Sequence, residues 1–217
     1  MSSLPNGTLT WPEFHNGVAA GLRVSRETAE VNSTWMVYNK PAGQLTHEHA
    51  GFLMALGLQG HLAKLSVMNV YEYLSKGHVT TSIGLLLGLS ASKRGSMDAQ
   101  VAKMLCIHVP EMLPPTAAEL DVAPAVQTAA LLGIGLTFQG SAHRRMTEVL
   151  LEEIGRRRDD TLSAEAAAGA SGYDADEREG HALAAGMALG LVVLQLGEDA
   201  PGVRDMRLAD RLTHYIV

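Results

Sequence analysis

The chain has 217 residues, enough for one domain with a sizeable core. Hydrophobic residues make up 47%, which excludes disorder throughout, and a net charge of −6 argues against a general binder of phosphate backbones. Charged residues reach only 18% and aromatics 5%, beside 22 glycines, so the core must be built from aliphatic and very small side chains.

The opening segment, Met1 to Gly7, has neither a basic nor an apolar stretch, so no secretory leader is expected. A small-residue phrase ending in Gly-Leu then appears at His15–Leu22. It returns at Gly51–Leu58, Ser82–Leu89, Ala129–Leu136 and Ala184–Leu191. The marked glycines are Gly21, Gly57, Gly88, Gly135 and Gly190, spaced by 36, 31, 47 and 55 residues. A unit of roughly 31–36 residues with insertions in the last two intervals accounts for these spacings. Each phrase is apolar nearly all round and lacks period-two alternation, which predicts a helix buried between neighbours. Glycine inside a helix costs roughly 0.5–1 kcal/mol relative to alanine. Its return at one phase predicts that a neighbouring helix backbone approaches closely there.

A more polar segment with a one-sided apolar stripe is expected after each phrase. The stretch from Leu62 to Leu74 is the least regular. Val101, Met104 and Leu105 form the next stripe, then Met146, Val149, Leu150 and Ile154, then Leu208, Leu212, Tyr215 and Ile216. Gly60, Gly95, Gly140 and Gly197 mark short turns between the two helices of each unit. Stacked helix pairs of this kind predict an all-α fold, an α-solenoid in which each repeat contacts mainly its neighbours.

Three insertions interrupt a single repeat domain over 1–217, at about 23–48, 109–124 and 156–179. The first carries Asn32, Asn39, Pro41 and Gly43 and reads as a connection, with Trp35–Tyr38 as a short ordered piece. The second holds Pro110, Pro114, Pro115 and Pro124, which excludes one continuous helix. The third mixes Arg156–Arg158, alanines, Gly169, Gly172 and an acidic patch, and its centre reads as a flexible loop. The longest apolar run, Ala182 to Leu194, has 13 residues. That is short of the roughly 18–20 that span a bilayer, so no membrane partner is expected.

No catalytic constellation stands out. Gly88-Leu-Ser90-Ala-Ser92 lacks the last glycine of a nucleophile elbow and sits in a helical context. Gly133-Ile-Gly135 with Gly140 lacks both the spacing and the preceding strand of a dinucleotide site, and no cofactor is expected. His47-x-His49 is the only close histidine pair, it has no third ligand, and it reads as a solvated loop end. His15, His61, His78, His143 and His181 lie at the edges of the phrases, as residues that bond between adjacent helices do. The single cysteine, Cys106, excludes an intrachain disulfide framework and reads as an inert thiol in a reducing compartment. No residue is assigned to catalysis, metal, cofactor or partner binding.

The Ala-Gly-x-x-x-Ala-Leu-Gly-Leu style of phrase resembles the proteasome/cyclosome repeats. These occur in the two largest non-ATPase subunits of the proteasome regulatory particle and in the largest subunit of the anaphase-promoting complex. His15–Leu22, Trp35–Pro41, Ala50–Gly57, Thr81–Gly88, Leu113–Thr116 with Glu119–Val122, and Gln139–Arg144 are similar to segments of the last of these. The likeness runs from about Trp11 to Gly197. Six such segments in the family's order are specific where one would be weak. The resemblance implies an α-α superhelix that closes into a ring in the full subunit, where it serves as a scaffold in a cell-cycle ubiquitin ligase. It implies other subunits of that complex and its substrate-recruiting coactivator as partners, with no nucleic acid and a location in nucleus and cytoplasm. Four or five repeats are too few for the ring, so the chain reads as a fragment. The two alternatives are the same fold in the proteasome regulatory particle, and a small helical hydrolase using Ser90.

Overall fold

A computed structural model describes residues 7–114, 122–155, 175–197 and 199–216. Every regular element among them is helical. The ten α-helices are α1 Thr10–Gly21, α2 Ser33–Tyr38, α3 His47–Leu58, α4 Val67–Leu74 and α5 Val79–Ser92. They continue as α6 Ala99–Cys106, α7 Pro124–Thr137, α8 Arg144–Ile154, α9 Ala175–Val192 and α10 Leu208–Ile216. In chain order they alternate as five pairs, and in space α4, α6 and α8 also pack on the inner helix of the next pair. The first helix of each pair carries a Gly-Leu phrase, and these inner helices stack in order: α1 on α3, α3 on α5, α5 on α7, α7 on α9. No helix among the described residues is long and apolar enough to cross a membrane.

The central inner helices α3, α5 and α7 bury most of their residues, as the all-round apolar pattern requires, whereas α1 and α9 at the ends keep an exposed side. Ten residues of α5 are buried, among them Thr80, Thr81, Ser82 and Ser90, and nine of α7. The second helices bury one stripe each: Val101, Met104 and Leu105 of α6, and Met146, Val149 and Leu150 of α8. All five pairs feed one continuous apolar core in which Leu53, Leu85, Leu131, Ile134 and Leu150 are fully covered. Short polar side chains start the helices by accepting a free first-turn N–H. Asn32 caps α2, Thr46 α3, Ser66 α4 and Asp98 α6, while Pro124 opens α7 at the one position that tolerates proline.

The structure trims the expected insertions. Helix α2 lies inside the 23–48 segment and packs through Met36, and α3 begins at His47. The 109–124 segment holds a 3-10 turn at Pro110–Met112, and 115–121 lie outside the described residues. Helix α9 already begins at Ala175, so residues 175–179 are helix and not loop. The expected flexible centre, with Arg156–Arg158, lies outside the described residues.

Candidate functional site

The marked glycines line the seam where successive inner helices meet. A Cβ on Gly57 of α3 would fall on the backbone of Gly88 in α5. One on Gly88 would lie 2.8 Å from Leu62 Cδ1 and 3.2 Å from the Leu53 carbonyl oxygen. At Gly135 it would meet the Cα of Ala188 in α9 at 2.5 Å, and at Gly21 the Cβ of Ala55 in α3 at 2.5 Å. Gly17, Gly51 and Gly84 are closed likewise, by the carbonyls of Glu48, Phe14 and Ala50. Gly190 differs: nothing lies within 4 Å of a Cβ there or at Gly186, because no described inner helix packs beyond α9.

A second seam feature gives no composition signal. The turn after α5 donates Gly95 N–H to Leu136 O at 2.9 Å and Met97 N–H to Thr137 O at 3.0 Å. The turn after α7 donates Gly140 N–H to Leu191 O and Ala142 N–H to Val192 O, both at 2.9 Å. Each turn thereby clasps the last carbonyls of the next inner helix, groups that a helix end leaves without a partner. Both clasping residues of each turn are left-handed, with φ 68° and 51° at Gly95 and Met97, and 67° and 45° at Gly140 and Ala142. Gln195 and Gly197 after α9 repeat the pair at 67° and 61°. Glycine is the usual signal for this conformation, and Met97, Ala142 and Gln195 lack it.

The polar groups singled out in the sequence are spent on packing. Ser90 is fully buried and its hydroxyl donates to Leu86 O at 2.7 Å, one turn back in the same helix. His47 and His49 begin α3 and do not end a loop, which corrects the solvated reading. Two residues apart on a helix, they turn to different partners. His47 Nδ1 pairs with Thr80 Oγ1 at 2.9 Å and its ring stacks on His78, while the buried His49 pairs through Nε2 with the Tyr73 hydroxyl at 3.2 Å. His61 reaches Ser25 O at 3.0 Å, and His181 Nε2 meets the buried Glu153 carboxylate at 2.7 Å, joining α8 to α9. Burial pushes the half-covered Cys106 thiol up from its ordinary pKa, away from the reactive thiolate. No three His, Cys, Asp or Glu side chains converge as a metal site among the described residues.

One cleft was not foreseen. It lies between α1, α2 and α3, has a volume of about 370 Å³, and is walled by Trp35 and Phe52, whose rings stand 6.3 Å apart and tilted by 35°. The isolated apolar piece Trp35–Tyr38 was its one trace in the sequence.

Comparison with known proteins adds a family to this geometry. Residues 1–94 match the family model described as APC1 fourth domain, and residues 99–217 the one described as APC1 fifth domain. The chain is 50% identical over 215 residues to anaphase-promoting complex subunit 1 of Mus musculus, covering 99% of the chain and 10% of that protein. It is 46% identical over 202 residues to the subunit 1 of Schizosaccharomyces pombe, covering 93% of the chain and 13% of that protein. To the protein named negative regulator of mitosis in Emericella nidulans it is 47% identical over 204 residues, 94% of the chain and 10% of that protein. The chain therefore spans about a tenth of the length of the curated relatives it matches.

Proposed function

The chain belongs to the anaphase-promoting complex subunit 1 family, across its fourth and fifth domains, and from that premise we propose that it is a non-catalytic scaffold segment of a cell-cycle ubiquitin ligase. The observation that carries the reading is the glycine seam. Glycine brings backbones together between α1 and α3, α3 and α5, and α7 and α9. The turn after α5 is hydrogen-bonded to the end of α7, and the buried Ser90 and Glu153 are hydrogen-bonded within the stack. A close-packed stack of this kind transmits position and resists bending, which is what a scaffold supplies. Its partners in this reading are the other subunits of the complex and the substrate-recruiting coactivator, in nucleus and cytoplasm, and the helix pairs are proteasome/cyclosome repeats of a larger ring. The proteasome placement of the same fold is set aside, because both family models carry the APC1 description.

The test compares Gly88→Leu with Ser90→Ala in the full-length subunit. Gly88→Leu must displace Leu62 and the α3 backbone, so co-purification of partner subunits should drop. Ser90→Ala adds no bulk and should leave assembly as in the parent. Normal assembly by Gly88→Leu, or a catalytic activity lost with Ser90→Ala while the fold persists, would overturn the scaffold reading.

A further inference from the structure

We propose that the cleft between α1, α2 and α3 is a docking pocket for an arginine side chain presented by a partner polypeptide. The pocket stands on its own geometry, whatever assembly the chain joins. Trp35 and Phe52 supply two adjoining aromatic walls, both only partly buried, over a volume of about 370 Å³. Asn39 at the end of α2 and Glu48 in the first turn of α3 line the cleft with polar groups. Glu48 is exposed and has no cation partner among the described residues, whereas Glu72 is engaged by Lys40 at 2.6 Å. The cleft is thus lined by two aromatic residues and by one acidic residue without a cation partner among the described residues.

That set selects its guest by chemistry. A carboxylate or phosphate would be repelled by Glu48, and a purely aliphatic guest would desolvate that carboxylate without replacing its water. A guanidinium satisfies both parts. Its planar face stacks on an indole or phenyl ring, and its donors fork onto a carboxylate. An ammonium can take the charge but has no face to stack, so lysine should bind more weakly. The other titratable lining group does not compete with a cation. His49 is buried against Tyr73, and burial, helped by Lys40, lowers its pKa to about 4, so it is neutral at pH 7. Lys40 itself is held by Glu72 and sits 4.9 Å above the Tyr73 ring. The overall charge of −6 also draws basic segments towards the molecule.

The experiment titrates the 15N-labelled chain with acetyl-arginine-amide, the neutral acetyl-citrulline-amide and acetyl-lysine-amide. The reporter is the Trp35 indole N–H resonance, assigned with Trp11→Phe. The arginine compound should shift it saturably with a Kd of about 1–10 mM, as a single small side chain allows. The citrulline compound keeps the shape and loses the charge, and should bind about five-fold or more weakly, with lysine between them. Glu48→Gln should produce the same loss for arginine with the melting curve unchanged, and Glu48→Asp should restore most of the binding. Equal binding of arginine and citrulline would make this a plain apolar cleft and overturn the proposal. So would full arginine binding by Glu48→Gln, or no saturable shift at Trp35.

Discussion

Burial holds His49 in its neutral form, with a pKa lowered to about 4 against an unfolded value of 6.5. The unfolded chain therefore takes up this proton first as pH falls. Stability from His49 is full above pH 6.5 and is lost as pH drops towards 4, a change on the order of 3 kcal/mol. His78 and His108 act in the same direction, the first through burial and then the charge of His47, the second through burial against an opposing bond to the Met104 carbonyl. The expected result is a melting temperature that declines between pH 6.5 and 4. In His49→Phe, which keeps a ring against Tyr73, the decline should be clearly shallower. An unchanged slope would remove His49 as its main cause. Ser90→Ala belongs to the same scale. It removes one hydroxyl bond to a carbonyl of its own helix and improves helix propensity, so stability should move by less than about 1 kcal/mol.

Where two helices touch through glycine, the added methyl of alanine separates a packed site from an open one. In Gly57→Ala the new Cβ meets the Gly88 backbone, which cannot rotate away as a side chain does. Destabilisation should reach or exceed the upper end of the roughly 1–3 kcal/mol typical of overpacking. In Gly190→Ala the methyl meets nothing, so the better helix propensity of alanine should raise stability by up to about 1 kcal/mol. Thermal melting of the two variants of the 217-residue chain gives opposite signs. Two losses, or two gains, would contradict the packing described. The seam was legible in part in the sequence. Recurrence of glycine at one phase pointed to close helix contact, and Gly60, Gly95, Gly140 and Gly197 do turn left-handed, at φ 87°, 68°, 67° and 61°. Met97 and Ala142 were invisible, because their left-handed backbones are held by hydrogen bonds to α7 and α9, some 40–50 residues further along the chain.

A stack of repeats has two end faces, and among the described residues both expose large apolar side chains. On α9, Leu183 and Met187 are 66% and 57% exposed beside the open Gly186 and Gly190, and at α1 Leu9 and Trp11 are about half exposed. Clusters of this kind on a solenoid end lack the polar cover that capping repeats provide. The 217-residue chain on its own should therefore associate, and light scattering at tens of micromolar should show a mass above that of the monomer. Leu183→Glu with Met187→Glu should lower that mass. A parent chain that stays monomeric across the range would show that these faces are not sticky enough to matter.

Helix content, the alternation of a buried with a half-buried helix along the chain, and the turn positions at Gly60, Gly95, Gly140 and Gly197 were readable in the sequence. Each depends on residues within one or two helical turns of one another, so local pattern carries it. The tertiary structure decided the rest. It set Gly57 against Gly88 and left Gly190 open. It joined His181 to a buried Glu153 28 residues away, and it brought α2 beside α1 and α3 so that Trp35, Phe52 and Glu48 line one cleft. Those outcomes depend on which helix faces meet after the chain has turned back on itself, and the neighbour across an interface leaves no trace in the residues that flank a position.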